Sequence, residues 1–330
     1  MRNQIFIAVG LGLVSAVVFA SAATGPVLMR YVLFLLTSLP IFLAGLGWGW
    51  RFAALAGFAS VAMVAVGGGP LVAGIYGLTQ IAPAIALCYL ALLSRSYQPE
   101  GSDVPTTEWY PPGRLVLWAA VMAGSLTLLV ILLMGQDFDT LKSGLKDYIG
   151  KALKDGMPPM EGRPPLDEEQ LSAMTDIAVA VMPAASAVSW LTALIFNLWL
   201  AGRITLASGQ LSRPWPDLSA MEYPPGTALM LLASILAAGA KGIAGAVGTA
   251  FLGAFFLAYV LIGLAVVHFV TRAKPWRPFA LWVLYAGLLL INVWIAVIIA
   301  LVGLADRPLR LRERAFASGP PPPPAPASTT

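Results

Sequence analysis

The chain has 330 residues, of which 58% are hydrophobic and only 11% are charged. A soluble domain carries about 25% charged residues, so charge is too scarce here for a surface that faces water throughout, and lipid must solvate much of the protein. The formal net charge is +4, and the basic residues are scattered along the chain. This distribution gives no reason to expect a nucleic-acid partner.

Charge-free apolar runs predict the membrane spans, because a helix needs about 20 apolar residues to cross the hydrocarbon core. Eight runs meet or approach this length, at residues 5–22, 31–50, 52–69, 71–94, 115–134, 177–201, 227–270 and 279–304. The seventh is about twice as long as one span. Its natural break is Lys241-Gly242, since a lysine at mid-membrane is costly and glycine weakens a helix. The sequence therefore predicts an all-α, polytopic transmembrane bundle of eight or nine spans.

The two ends of the chain bear on processing and orientation. Arg2, the apolar stretch and Ala20-Ser21-Ala22 resemble a signal peptide with an Ala-x-Ala cleavage site. Further spans follow directly, however, which favours an uncleaved first helix. Four arginines between residues 307 and 314 follow the last run, and the positive-inside rule then favours a cytoplasmic C-terminus. With eight spans the N-terminus is cytoplasmic as well.

The hydrophilic segment 137–176 contains a predicted amphipathic helix. Its apolar positions at helical spacing are Leu141, Leu145, Tyr148, Ile149, Ala152 and Leu153, and the lysines between them are Lys142, Lys146, Lys151 and Lys154. Such a helix suits the membrane interface, either as a lid or partner-docking helix or as a connector on the headgroups. We assign residues 1–304 to a transmembrane domain and 305–330 to a tail that is first basic and then proline-rich and disordered.

A stripe of small residues marks the first helix. Its members recur every four residues, and they are Ala8, Gly12, Ala16 and Ala20. Small residues on one face let helix backbones approach closely in lipid. The stripe therefore predicts a packing face, whose partner is either another helix of this chain or a second membrane protein.

Polar and aromatic residues at membrane depth are the candidates for ligand binding, because a buried polar group in lipid is costly. The residues singled out are Gln80, Trp190, Asn197, Lys241 and Asn292. For each amide, the alternatives are an interhelical hydrogen bond and contact with a ligand. Lys241 would either neutralise an anionic ligand or extend from a helix end towards the headgroups.

Several functions lack the residues that they need. The predicted spans contain no Asp or Glu, whereas ion-coupled transporters generally carry a membrane-embedded carboxylate. The chain has no His-Glu-x-x-His zinc motif and no phosphate-binding lysine loop. Its one cysteine and one histidine cannot form a structural zinc site. We therefore expect no enzyme activity, no metal and no cofactor, and any transport would draw its energy from a partner.

Two short stretches resemble the YybS-like family of bacterial multi-spanning membrane proteins of unknown function: LIGLAVVHF at 261–269 and GLADRPLRLR at 303–312. Met182-Pro183, with Asn197 and Arg203 downstream, is similar as well. The resemblance covers about residues 5–312 and implies a bacterial inner-membrane protein with no assigned activity.

That family is distantly similar to the S components of energy-coupling-factor transporters, whose first helix docks a transmembrane partner through Ala-x-x-x-Ala. Ala16 and Ala20 match this pattern. The resemblance thus implies an S-component-like bundle, although segment 137–176 has no counterpart in it.

Two hypotheses from different classes follow. In the first, the protein is a substrate-binding or transport subunit that depends on a partner for energy, and the five candidate residues converge on one cavity of about 300 Å³ or more. In the second, it is a non-transporting scaffold or assembly protein that binds a protein partner through the first-helix stripe, the amphipathic segment or the tail. The same five residues would then be scattered, each paired with a neighbouring helix.

Overall fold

The computed structural model describes residues 2–23, 26–98, 105–134, 138–156, 167–272 and 274–317. Helices account for nearly all of them. In chain order they are α1 (Arg2–Ala22), α2 (Val27–Leu36), α3 (Leu39–Trp48), α4 (Trp50–Tyr76), α5 (Ala82–Ala91), α6 (Pro112–Met134), α7 (Phe138–Gly156), α8 (Glu168–Ala207), α9 (Thr227–Ala238), α10 (Gly242–Val270), α11 (Arg277–Leu290), α12 (Val293–Leu309) and α13 (Leu311–Ala317). The proline-rich tail predicted at the C-terminus lies outside the described residues.

Within the described part of the chain, the strands form one short antiparallel ribbon. β1 (Ser94–Tyr97) pairs with β2 (Thr106–Trp109), and Ser94 lies opposite Trp109. The all-α prediction is therefore confirmed, because this ribbon is a small exposed excursion between α5 and α6.

Contacts divide the chain into two compact units. The first contains Met1–Pro216 and Tyr223–Phe255, and the second contains Asp217–Glu222 and Phe256–Thr330. The first part of α10 thus belongs to the first unit, and the rest of α10, with α11 to α13, belongs to the second.

Six described helical stretches are long and apolar enough to cross a membrane. They are Arg2–Ala22, Leu28–Trp48, Trp50–Ala91, Pro112–Leu133, Glu168–Ala207 and Gly242–Val270. The prediction of eight or nine spans is therefore not supported. α9 and α11 have 12 and 14 residues, and at 1.5 Å per residue both are shorter than a hydrocarbon core of about 30 Å.

The 42-residue stretch Trp50–Ala91 doubles back on itself. The backbone leaves the helical conformation at Gly69, with φ 82° and ψ 168°, just before Pro70. A Cβ added to Gly57 would lie 2.5 Å from Cγ2 of Ile81, which a straight helix would place about 36 Å away. The break that the sequence predicts between the apolar runs 52–69 and 71–94 is thus present at Gly69, inside the helix α4.

The small-residue stripe of α1 packs inside the chain. Ala8, Gly12 and Ala16 are buried, whereas Ala20 is exposed. A Cβ on Gly12 would overlap the carbonyl oxygen of Ala56 in α4. Three of the four positions are therefore buried within the same molecule. Of the two predicted packing partners, this corresponds to another helix of this chain, and not to a second membrane protein.

The last predicted span, 279–304, is not one helix. α11 ends at Leu290, and α12 begins at Val293 after Asn292, whose φ is 45°. Asparagine tolerates this left-handed region better than branched side chains do. The interpretation of Asn292 as a mid-helix residue is therefore wrong, because it forms the reverse turn between two shorter helices.

Candidate ligand-binding cavity

The first unit contains a partly open cavity of about 790 Å³ between α2, α6, α8 and the turn from α9 into α10. α2 contributes Phe34, and α6 contributes Thr127, Val130 and Ile131. The turn contributes small residues, from Ala238 to Ala246. This volume falls within the range of about 300–1,000 Å³ that is typical of small-molecule sites.

One face of α8 forms the longest wall. The lining residues recur at helical spacing and include Asp176, Val179, Pro183, Ser186 and Trp190. The start of α8 is set by Asp167, whose carboxylate accepts the backbone N–H of Gln170 at 2.7 Å. This N-cap, with acidic residues in the first turn, stabilises the start of the helix that carries this face.

Glycine brings α10 against the same wall. A Cβ on Gly253 would lie 2.6 Å from the carbonyl oxygen of Ala184, so any larger residue would push α10 away from α8. Gly124 of α6 accommodates the ring of Phe251 in a similar way, since its Cβ would lie 2.6 Å from Cδ1 of Phe251. The helices around the cavity are therefore in close contact, and the cavity is a local gap in a packed bundle.

The inner part of the cavity offers an aromatic pair and unpaired donors. The rings of Phe34 and Trp190 meet edge to face, with centroids 5.2 Å apart. The hydroxyl of Ser189 lies 3.5 Å from that of Tyr31. Within the described residues, neither the Ser186 hydroxyl nor the Trp190 indole N–H has a hydrogen-bond partner. This region thus presents an apolar surface with two donors that a ligand can use.

A charged pair lies at the other end of the lining. Asp176 forms an ion pair with Lys146 of α7. The Lys146 Nζ lies 3.0 Å from the Asp176 Oδ1, and both side chains are about half exposed. α7 also passes close to the buried Thr175, because a Cβ on Gly150 would lie 3.8 Å from its hydroxyl. The helix predicted from the amphipathic pattern is therefore present, and it packs beside the carboxylate of the cavity.

The predicted ligand-binding residues do not converge. Trp190 lines the cavity. Lys241 is exposed between two lining residues, Ala240 and Gly242. Gln80 is buried in the π-helical turn Gly77–Ile81, with its Nε2 unpaired. Asn292 belongs to the second unit and is exposed.

Asn197 connects helices rather than lining the cavity. Its Nδ2 donates to the carbonyl oxygens of Leu35 at 2.6 Å and Ala193 at 2.8 Å, and it lies 3.2 Å from the hydroxyl of Ser38. Asn197 is fully buried. Of the two roles predicted for this amide, an interhelical hydrogen bond and contact with a ligand, these contacts correspond to the first.

The lining residues that sequence reasoning missed lie on the N-terminal side of Trp190. They include Met182, Pro183, Ser186 and Ser189. From Trp190 the cavity extends along α8 towards Pro183, and not towards Asn197. The available signal was the cluster of small and hydroxyl residues after Pro183.

Metal ligands do not cluster in the part of the chain that the structure describes: no three His, Cys, Asp or Glu side chains meet there. Cys88 is buried, and His268 lies in the second unit with Nδ1 3.0 Å from the carbonyl oxygen of Leu264.

Comparison with known protein families gives a match over most of the chain. Residues 13–307 match a family model described as "Predicted membrane protein (DUF2232)". No curated protein and no solved structure matches the chain. The resemblance to a membrane protein family of unknown function is thus confirmed, while neither the YybS-like name nor a likeness to S components forms part of the match.

Proposed function

We propose that this chain, which belongs to the DUF2232 family of predicted membrane proteins, binds one amphipathic small molecule in the cavity of its first unit. The observation that supports this proposal is the cavity of about 790 Å³, in whose largely apolar wall two donors, Ser186 and Trp190, have no hydrogen-bond partner among the described residues. A partly open pocket of this size between helices leaves room for a small molecule.

The wall indicates the class of ligand. An apolar body would contact Phe34, Val130 and Ile131 on two helices and Val179 and Trp190 on a third. A hydroxyl, carbonyl or amide group would accept from Ser186 or from the indole N–H. A compact, strongly charged metabolite would lose its hydration without a matching partner in this region. The ligand is therefore mostly apolar, with one or two hydrogen-bonding groups.

The role that we propose is capture by a substrate-binding or transport subunit in the bacterial inner membrane, with energy supplied by a partner. This role rests on the cavity and on the sequence, which contains no phosphate-binding lysine loop. The S-component resemblance agrees with it and stays a prediction. We also propose that the stretch Trp50–Ala91, which doubles back at Gly69, crosses the membrane twice.

The test is a thermal-shift screen on protein purified in detergent, with vitamins, their precursors and apolar metabolites as probes. A ligand at a hundredfold excess over its Kd stabilises the folded state by about 2.7 kcal/mol. We expect Ser186→Leu, which removes the hydroxyl and adds bulk on the cavity wall, to abolish the shift. Thr192→Leu adds similar bulk to an exposed position of α8 outside the lining, and it should keep the shift.

Two results would contradict the proposal. A shift that survives Ser186→Leu unchanged would place the ligand elsewhere. A flat screen with folded protein that co-purifies with another membrane protein would support the scaffold hypothesis instead. Trp190→Phe keeps an aromatic ring near Phe34 but removes the indole N–H. For any ligand that binds, the change in affinity therefore measures the contribution of this hydrogen bond apart from that of the ring's shape.

A further inference from the structure

The helices α11 and α12 expose an unusually apolar tip. α11 contains no buried residue. The three largest exposures in this region are close to the turn at Asn292, namely Leu289 83%, Leu290 81% and Trp294 74%, and Val293 beside them is 61% exposed. Large apolar side chains at this exposure on one continuous surface require an apolar surrounding.

α11 and α12 reverse direction at this tip. The left-handed conformation of Asn292 lies at the turn. Beyond it, a Cβ on Gly287 of α11 would lie 3.4 Å from Cγ1 of Ile295 in α12. α11 and α12 therefore run in opposite directions and form a helical hairpin.

Both arms pack on the final part of α10, within the second unit. On α11, the hydroxyl of Tyr285 lies 3.4 Å from Nε2 of His268. On α12, a Cβ on Gly303 would lie 2.6 Å from the carbonyl oxygen of Tyr259, and one on Gly263 would overlap the carbonyl of Ile299. These contacts hold the hairpin alongside α10, a helix apolar enough to cross a membrane.

The ends of α10 and α12 meet at one polar base. Arg272 at the end of α10 donates to both carboxylate oxygens of Asp217 at 2.8 Å and also to the hydroxyl of Ser219. Arg312, after α12, pairs with Asp306 at 2.6 Å and donates to the carbonyl oxygen of Met221 at 2.9 Å. One short segment, Asp217–Glu222, therefore joins both helix ends, so they lie at the same level.

The base is also the basic end of the unit. Arg277 begins α11, and the hairpin arms are flanked by further cations, namely Arg272, Lys274, Arg307, Arg310, Arg312 and Arg314. The acidic residues nearby are fewer, and they are Asp217, Glu222, Asp306 and Glu313. An excess of Lys and Arg beside membrane helices marks the cytoplasmic side and attracts anionic headgroups.

The arms are too short to cross. With 14 and 17 residues, α11 and α12 reach about 21 and 26 Å, against a hydrocarbon core of about 30 Å. The last residues of α12 include Asp306 and Arg307, which shortens its apolar part further. The hairpin can enter the core and bury its tip, but it does not reach the opposite face.

We infer that α11 and α12 form a re-entrant hairpin that enters the bilayer from the cytoplasmic face and returns to it, with lipid acyl chains around its tip. The basic base lies among the headgroups of that leaflet. This placement differs from a span at 279–304, which would put Arg277 and Arg307 on opposite sides of the membrane. It does not depend on the proposed ligand-binding function.

The test uses single cysteines and a membrane-impermeant maleimide. The chain has one cysteine, Cys88, which is buried, so Cys88→Ser provides the background. Into it we would place Lys274→Cys before the hairpin, Arg314→Cys after it, and Leu290→Cys at the tip. Each would be labelled in right-side-out and in inverted inner-membrane vesicles, and again after detergent is added. Leu289→Cys is a second tip position if Leu290→Cys expresses poorly.

We expect Lys274→Cys and Arg314→Cys to react in inverted vesicles and to be protected in right-side-out vesicles. Leu290→Cys should react only after detergent removes the lipid. Labelling of Lys274→Cys and Arg314→Cys from opposite sides would overturn the hairpin in favour of a full span. Reaction of both from the outside alone would overturn the cytoplasmic entry. Reaction of Leu290→Cys in intact vesicles would show that the tip is in water. Protection of both tip cysteines in detergent would show that a protein partner, and not lipid, covers the tip.

Discussion

In the first unit a buried polar contact between two helices, α8 and α2, is uncharged, whereas in the second unit a buried contact between α12 and α13 is an ion pair. Asn197 is fully buried, and its amide connects α8 to α2. The ion pairs described in the first unit, Arg95 with Glu108 and Lys146 with Asp176, are exposed. In the second unit, by contrast, the side chains of Asp306 and Arg312 are only 12% and 11% exposed.

The difference follows from where each contact lies along its helices. Asn197 lies within the apolar run of α8, where a charge would be very costly and a neutral amide can satisfy backbone carbonyl groups. Asp306 and Arg312 lie at the end of the apolar part of α12, beside loop carbonyl groups that complete the hydrogen bonds of the guanidinium. A membrane protein can thus use neutral hydrogen bonds at depth and ion pairs at helix ends.

The largest effect is expected from breaking the buried ion pair. Asp306→Asn removes the carboxylate and leaves the Arg312 guanidinium buried without its counter-charge, which costs about 3 kcal/mol. Glu313→Gln is the matched control, because its pair with Arg310 has side chains more than 70% exposed and contributes about 0.5 kcal/mol or less. The melting temperature in detergent should fall clearly for the first variant only. Equal shifts would mean that the burial of the Asp306 pair adds nothing.

The next effect tests the close helix contact of the first unit. Gly12→Ala puts a methyl group onto the Ala56 carbonyl, and such overpacking costs about 1–3 kcal/mol. Gly10→Ala, two residues away on α1, meets nothing within 4 Å and should be neutral or stabilising by about 0.5–1 kcal/mol. Opposite signs for the two variants in thermal unfolding would support the contact. A neutral Gly12→Ala would show that α1 and α4 do not approach as described.

A smaller loss is expected for the buried amide. Asn197→Leu leaves the carbonyl oxygen of Leu35 and the hydroxyl of Ser38 without this donor, at a cost of about 1–2 kcal/mol. Thr192→Leu changes an exposed residue of the same helix and serves as the control. Thermal unfolding of both variants with and without ligand separates two roles. Loss of ligand binding at unchanged stability would mean that Asn197 contacts ligand instead of joining helices.

The smallest effect is a pH dependence at the base of the second unit. Hydrogen bonds from Arg272 and Ser219 hold the pKa of Asp217 below its usual value. A lowered pKa means that the folded state releases this proton more readily than the unfolded chain does. The resulting stability is therefore present above about pH 4, the unfolded pKa, and is lost as pH falls through the folded pKa.

The measurement is the melting temperature of the wild type and of Asp217→Asn as the pH is lowered. At neutral pH the variant should be less stable by about 0.5 kcal/mol, as for an exposed pair. The two curves should converge at acidic pH, because the protonated Asp217 resembles the amide. A constant difference at every pH would show that the charge of Asp217 contributes nothing.

Several local features could be predicted because single residues determine them. The break at Lys241-Gly242 is confirmed, since α9 ends at Ala238 and α10 begins at Gly242. The turn before Pro70 was also predicted, because only glycine readily adopts the backbone that Gly69 shows there. The turn at Asn292 was missed, since it is surrounded by apolar residues with no glycine or proline to mark it.

The candidate site was predicted less well than the fold. Of the five residues singled out, Trp190 alone lines the cavity. The others were singled out because a polar side chain buried in lipid costs free energy. A hydrogen bond to a neighbouring helix removes that cost for Asn197, and an exposed position at a turn avoids it for Asn292. Polarity at depth thus identifies residues that need a partner, but it does not say which partner they have.

The sequence by itself determined the solvent and the helical class of this protein, because apolar runs with scarce charge leave helices in lipid as the stable state. It also determined the stripe on α1, whose spacing is a property of one helix. Only the tertiary structure decided which faces meet and where the last helices end: α1 on α4, a gap beside Ser186 and Trp190, and a turn at Asn292 within the predicted run 279–304. The physical reason is that helix faces in an apolar chain are nearly alike in composition, so backbone approach and side-chain volume select among the packings.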